Sequence, residues 1–184
     1  MASDTYSLRA GPAEKEVERL NAGHDLISRV TGSLLPPQIS INPNKPIRVA
    51  DIATGTGAWL VQLRERLPVS SVLDGFDITN AQFPPQDTLP DTVKLNVHDM
   101  REPFPQDFLG SYDIVHVRLI MYALKGDEWA KTVKNLVTLL KPGGYLISED
   151  TSYTEWLAIP ASVAHCRFLQ IDMAFSGKAG RDLM

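Results

Sequence analysis

The chain has 184 residues, enough for one domain with one sizeable core. It is 43% hydrophobic and 22% charged with a net charge of -4, an ordinary globular balance that gives no general attraction to nucleic acid or anionic membrane. A single cysteine, Cys166, excludes an intramolecular disulfide and fits a reducing compartment, and no stretch approaches the ~20 apolar residues of a membrane span. Cys166 reads as a small buried apolar residue rather than a reactive thiol. The N-terminus has no basic-then-apolar leader, so the expected compartment is the cytoplasm, with nuclear entry open.

Residues 1–11 are polar and read as a loose arm. Gly11-Pro12 then introduces a helix with Val17, Leu20, Ile27 and Val30 on one stripe and His24 on the same face. Gly32 stops it, and Pro36-Pro37 confirm the break. Residues 33–46 carry four prolines and form a linker. Residues 1–46 are thus an arm plus a helix that either covers the sheet edge or acts as a lid, with Tyr6 or His24 facing a substrate.

Ile47 to Ala53 is nearly all apolar and β-permissive, as suits a strand buried on both faces. Thr54-Gly55-Thr56-Gly57 follows, then the helical pattern Trp59, Leu60, Leu63, Leu67 up to Pro68. Strand, glycine turn, helix is the opening unit of a nucleotide-binding α/β sheet. A dinucleotide fingerprint needs a third glycine where Leu60 stands, so a pyrophosphate cradle is poorly supported. Asp51 would face an anion badly and suits an ammonium group.

The second strand, Ser71–Asp77, ends in an acid at an exposed tip, where a carboxylate can accept from both ribose hydroxyls. Residues 79–91 hold three prolines and read as a loop, with Phe83 either covering an adenine or anchoring the loop. Val93, Leu95 and Val97 alternate in a third strand, Thr92–His98. At its end an Asp99 carboxylate can accept from an adenine amino group, and the Met100 N–H can donate to a ring nitrogen. The fourth strand is Tyr112–Val117. Gly126-Asp127 then caps a helix with Trp129, Val133, Leu136, Val137 and Leu140 inward. Lys141-Pro142-Gly143-Gly144 ends that helix and leads into a fifth strand, Tyr145–Glu149, and Ile159–Gly177 reads as one more helix.

Asp51-x-Ala53-x-Gly55-x-Gly57 resembles the first motif of class I S-adenosylmethionine-dependent methyltransferases, acidic-x-Gly-x-Gly-x-Gly, with Ala53 in place of the first glycine. The resemblance extends over roughly residues 12–177 through Asp77, His-Asp-Met-Arg-Glu-Pro-Phe, Tyr-Asp-Ile-Val-His-Val-Arg and Leu-Lys-Pro-Gly-Gly-Tyr-Leu. Glu16-x-x-Arg19-Leu20, His-Val-Arg and Lys-Pro-Gly-Gly-Tyr-Leu are similar to the fungal small-molecule and regulatory methyltransferases of secondary metabolism. The resemblance implies an α/β, Rossmann-like, mostly parallel sheet of order 3-2-1-4-5 with helices on both faces. The N-terminal helix is an addition, and residues 47–184 form the cofactor-binding core. It also implies S-adenosylmethionine as cofactor and S-adenosylhomocysteine as product. Asp51 and the backbone of Ala53, Thr54, Gly55, Thr56 and Gly57 would hold the methionine end. Asp77 and Ile78 would take the ribose and Asp99 with Met100 the adenine. His116 and Val117 would line the reaction side.

The implied reaction is methyl transfer to an O, N or S nucleophile of a small molecule, a secondary metabolite by the resemblance. His116 is the first candidate for a general base, ahead of His165 and Tyr153. Glu149 and Asp150 end the fifth strand, and Arg118 reads as an ion-pair partner. No clustered ligand set argues for a metal. Two alternatives stand: a cofactor-binding protein of this fold that runs another reaction, such as a cyclisation aided by the sulfonium charge, and a non-catalytic regulator. The family's last two strands are expected to be missing, which leaves the fifth strand as an open edge. A second copy or a partner protein is expected to bury that edge together with Ile159, Val163, Phe168, Leu169 and Phe175.

Overall fold

Five parallel strands form one sheet in the order β3-β2-β1-β4-β5, as the motifs implied. The computed structural model describes residues 12–150, 162–178 and 180; the expected arm, Tyr6, Tyr153 and Ile159 lie outside the described residues. In chain order the elements are α1 (Ala13–Thr31), β1 (Arg48–Ile52), α2 (Ala58–Arg64), β2 (Val72–Asp77), β3 (Val93–Val97), β4 (Tyr112–Arg118), α3 (Trp129–Thr138), β5 (Leu140–Glu149) and α4 (Val163–Lys178). Among the described residues no helix is long and apolar enough to cross a membrane.

Strand parity divides the sheet into two faces. Val49, Leu73, Ile114 and Ile147 point to one side, where Trp59, Leu60 and Leu63 of α2 cover them. Ala50, Ile52, Phe76, Val115 and Val117 point to the other, under Leu136 and Leu139. Each fully buried Leu or Ile here contributes about 1.5–3 kcal/mol of transfer free energy. Leu60, where a dinucleotide site needs glycine, is fully buried in the first of these layers. The same parity sends Asp51, His116, Arg118 and Glu149 to the α2 side at the carboxyl ends of their strands. The pairing sets Asp51 directly beside His116 and His116 beside Ile147.

Several elements depart from expectation. The inward stripe of α1 is right for His24, but Val30 is 78% exposed and Glu16 is buried instead. Inward from α3 point Thr132 and Leu136, followed by Leu139; Val133 and Val137 face water. Both stripes share Leu136 and have helical spacing. The one observed half-buries Trp129 and hands Leu139 directly to the core ahead of β5. Val97 is exposed, not part of an alternating buried set. β5 begins at Leu140, which pairs with Tyr112, whereas Ile114 pairs with Tyr145, so residues 141–144 bulge out of the ladder. A Cβ on Gly144 would sit 3.0 Å from the Tyr112 carbonyl, so glycine is what allows this approach.

Among the described residues β5 lies at one edge of the sheet and β3 at the other. In α4 the apolar residues expected to be covered by a second copy or a partner are on view. Val163, Phe168 and Phe175 are exposed, Cys166 is exposed rather than buried, and Ser176 is the buried residue of this helix.

Candidate active site

The strand–turn–helix unit folds around backbone conformations that side chains resist. Ala53, Gly55 and Gly57 all have positive φ, at 58°, 57° and 75°. Ala53 therefore takes the left-handed conformation of the glycine it replaces, at a cost of about 1–2 kcal/mol. We expect Ala53→Gly to release that strain against a smaller entropic loss, a net gain of about 0.5 kcal/mol in denaturant unfolding. A destabilisation beyond about 1 kcal/mol would contradict a strained Ala53. Among the described residues Leu119, just after β4, is the other non-glycine residue at positive φ (56°), and it too lies on the pocket wall. Strain of this kind collects at ligand sites.

The pocket opens at the carboxyl ends of β1, β2 and β4, where ligands sit in such sheets. Its floor is Asp51 to Thr56 with Ala58 and Trp59; Asp77, Ile78, Asp99 and Met100 form one side. Arg118 to Ala123 form the other side, and Glu16, Arg19, Leu20, Gly23 and His24 of α1 close the top. Helix α1 is thus part of the wall, not a distant edge cover. Thr56 Oγ1 donates to Asn21 Oδ1 of α1 (2.7 Å), and a Cβ on Gly55 would already meet Leu20 Cδ1 at 3.4 Å.

Most of the expected positions come together here, but two do not. Val117 points to the opposite face of the sheet, into the core, as its parity requires. Gly57 is the N-cap of α2 and looks towards Leu95, so it shapes the turn without lining the cavity. Phe83 faces a second, more open crevice with Val17 and Asn21, away from the main pocket.

Asp77 is half-buried, not a solvated tip. Its Oδ2 accepts the Gly55 N–H at 2.9 Å and its Oδ1 the Thr79 N–H at 3.3 Å, so it ties the tip of β2 to the glycine turn. Burial pushes its carboxyl above the usual range, against those N–H bonds. The Asp99 oxygens are gripped by Arg101 Nε and Nη2, with the shortest contact at 2.7 Å, and this pairing holds its carboxyl below the usual range. Arg101 also reaches Glu128.

A polar chain that the sequence did not reveal runs beneath the pocket. Asp51 Oδ2 accepts from Thr54 Oγ1 at 2.6 Å, and its Oδ1 faces His116 Nδ1 at 2.7 Å. His116 Nε2 faces Glu149 Oε2 at 3.4 Å, and the His116 ring stacks on Trp59 with centroids 3.8 Å apart and planes 6° from parallel. Glu149 Oε2 lies 3.9 Å from Arg118 Nη1. Arg118 Nη2 donates to His24 Nδ1 at 2.9 Å, and His24 Nε2 meets Gln62 Oε1 at 2.8 Å. His116 is 1% exposed, with both nitrogens against carboxylates. Nδ1 faces Asp51 and Nε2 faces Glu149, so neither nitrogen is without a partner, unlike a base open to substrate. His165 lies in the first turn of α4, half-buried and outside the pocket wall. No group of three or more His, Cys, Asp or Glu among the described residues could hold a metal.

A family model described as a methyltransferase domain matches residues 23–175. The chain is similar to the methyltransferase grgD of a Penicillium species, with 32% identity over 163 residues, 85% of this chain and 56% of that protein. It is equally similar to the N-methyltransferase tcpN of Claviceps purpurea, with 32% identity covering 85% of this chain and 55% of that protein. The chain thus spans about half the length of these curated relatives. Among solved structures it resembles the complex between the Haloferax volcanii Trm112 methyltransferase activator and a putative methyltransferase, at a TM-score of 0.57, 22% identity, 73% of this chain and 57% of that one. The plantazolicin methyltransferase BpumL bound to S-adenosylhomocysteine is similar at a TM-score of 0.51 and 17% identity, over 60% of this chain and 41% of that one. These structures share the fold, and the family match and the relatives carry the assignment: the chain belongs to the methyltransferase domain family.

Proposed function

We propose that the pocket holds S-adenosylmethionine and that the protein transfers its methyl group to a nucleophilic atom of a small molecule, a secondary metabolite by its likeness to the fungal relatives. The observation that carries this reading is the left-handed Ala53–Gly57 turn with three carboxylates, Asp51, Asp77 and Asp99, around one cavity. That donor set fits a ligand with an ammonium, a ribose diol and an adenine, and repels a pyrophosphate.

In this reading the turn's backbone and Asp51 receive the methionine end. Asp77 takes the ribose diol, and Ile78 lies against the sugar. Asp99 and the Met100 N–H receive the adenine edge. Arg101 fixes the Asp99 carboxylate so that it meets the ligand in one orientation. Asn135 holds the Met100 carbonyl, which steadies the same segment. The bound cofactor supplies an activated sulfonium methyl, and transfer is an in-line displacement. What the chain then contributes is alignment and exclusion of water. Leu119 to Ala123 and Leu20 of α1 make the apolar wall that does this.

The test is release of S-adenosylhomocysteine on incubation with S-adenosylmethionine and a panel of amine, phenol and thiol acceptors. Turnover with one acceptor class and not the others supports the reading and names the nucleophile. Tight cofactor binding with no turnover across the panel would contradict methyl transfer by this chain.

A further inference from the structure

We propose that helix α1 is fastened over the pocket by the chain Gln62–His24–Arg118–Glu149–His116–Asp51, with His24 neutral and His116 an imidazolium, both acting as positioning residues. That the pocket is a methyl-donor site rests on the reading above; the proton order of the chain does not.

The protons follow from what each partner can do. Arginine can only donate, so the His24 Nδ1 that faces Arg118 must carry a bare lone pair. The proton of His24 is therefore on Nε2, and Gln62 must turn its oxygen towards it, which is the orientation found. Ser28 Oγ donates to that same oxygen, at 3.4 Å. A second proton on His24 would place an N–H against the guanidinium and break the link between α1 and β4.

His116 has the opposite requirement. Asp51 and Glu149 both accept, so a bare nitrogen on either side would face a carboxylate lone pair. Both nitrogens are satisfied only in the imidazolium, and the indole face of Trp59 stacked on the ring favours a cation.

The charge environments agree with these assignments. Burial and then the Arg118 charge hold His24 below its ordinary value, against weaker support from Gln62, Asp25 and Asp51. At His116 burial opposes the charge, but the bonds to Asp51 and Glu149 outweigh it and hold the ring above its ordinary value. Glu149 is correspondingly held down by His116. The signs set a window. The depressed His24 gives stability that is present above the ordinary imidazole value of about 6.5 and is lost as pH falls through its folded value. The raised His116 gives stability that is present below about 6.5 and is lost as pH rises through its folded value. The fastening is thus complete across near-neutral pH and opens at α1 on the acid side.

The consequence for the site is mechanical. His116 holds one Asp51 oxygen and Thr54 the other, so the carboxylate at the foot of the glycine turn has a single orientation. The same chain carries the position of α1 down to that turn, and the Thr56–Asn21 bond closes the loop from the top.

The experiment is nitrogen-15 histidine NMR on the free full chain from pH 5 to pH 8, with backbone amide exchange of α1 corrected for intrinsic rates. At pH 7 we expect His116 to have both nitrogens protonated and His24 to carry its proton on Nε2 alone. A neutral His116, or a His24 protonated at Nδ1, would overturn the assignment. Exchange across α1 should speed up by up to roughly tenfold for each pH unit between about 6.5 and the His24 transition and level off below it, with α2 unchanged. His24→Asn keeps an acceptor for Arg118 and has no proton to gain, so its α1 should lose this acid opening. The same acid opening in His24→Asn would overturn the fastening role. The wild-type spectra decide the proton order even where that variant folds poorly. All of these readouts use the free protein, so failure of cofactor binding with the proton order intact would sink the proposed function alone.

Discussion

Asp77→Ala is expected to lower the affinity for S-adenosylhomocysteine by roughly ten- to a hundredfold, through the loss of charge-assisted hydrogen bonds of about 1.5–3 kcal/mol. A carboxylate offers about four lone-pair directions, and two are taken by the Gly55 and Thr79 N–H groups. The remaining acceptor capacity is what the proposed ribose diol would use. The sequence places this aspartate at an exposed tip, which would make its removal neutral for folding. The structure makes it an anchor of the glycine turn, so Asp77→Ala also costs about 1 kcal/mol of stability. Asp77→Asn separates the two effects. It keeps an oxygen for the Gly55 N–H but loses the charge and the weaker Thr79 contact, so it should lose affinity at a smaller stability loss than Asp77→Ala. Wild-type affinity in both variants would show that the ribose assignment is wrong.

Asp74→Ala is expected to destabilise the fold by about 3 kcal/mol, or roughly 6–12 °C in Tm for a chain of this size, without changing cofactor affinity. Asp74 is buried on the sheet face opposite the pocket, where its Oδ2 accepts from Arg48 Nε and Nη2 and from the Tyr112 hydroxyl at 2.9–3.0 Å. The Arg48 guanidinium also lies 4.7 Å from the centre of the Tyr112 ring. Removing the acid strands a cation and a buried hydroxyl together. The Arg48 side chain is 31% exposed and can partly rehydrate, which keeps the effect at the low end for a broken buried pair. Truncating Arg48 to Met in the same chain should restore part of the loss, since the apolar stem stays packed and no unpaired charge remains. A loss below about 1 kcal/mol for Asp74→Ala would contradict this account of the cluster. Thermal and denaturant unfolding, with a parallel cofactor titration, make the check.

What the sequence disclosed was whatever is written locally. The β1–turn–α2 unit and the acids closing β2 and β3 follow from short runs whose spacing has a direct physical meaning, while the strand order is what the family resemblance implies. Ala53 shows the limit of this: it could be seen as a substitution, but its left-handed backbone appears only in the fold. The polar chain was not legible, because His24 meets Arg118 across 94 residues and His116 meets Asp51 across 65. No local pattern distinguishes a histidine with both nitrogens occupied from one with a free lone pair. Val133 and Val137 were misread because two helical stripes share Leu136, and the choice between them is made by Leu139 and the core it enters. The start of β5 at Leu140 was hidden because the proline and two glycines that suggest a break form a bulge within the strand.

The central claim is that the three-carboxylate pocket takes an adenosyl-methionine ligand. Isothermal titration of the free chain with S-adenosylhomocysteine, S-adenosylmethionine and NAD tests it most directly. The account predicts one site for each adenosyl ligand, weakened by Asp77→Asn, and at least tenfold weaker binding of NAD. Binding of NAD as tight as or tighter than either adenosyl ligand, or no heat with either adenosyl ligand on a folded chain, would contradict it.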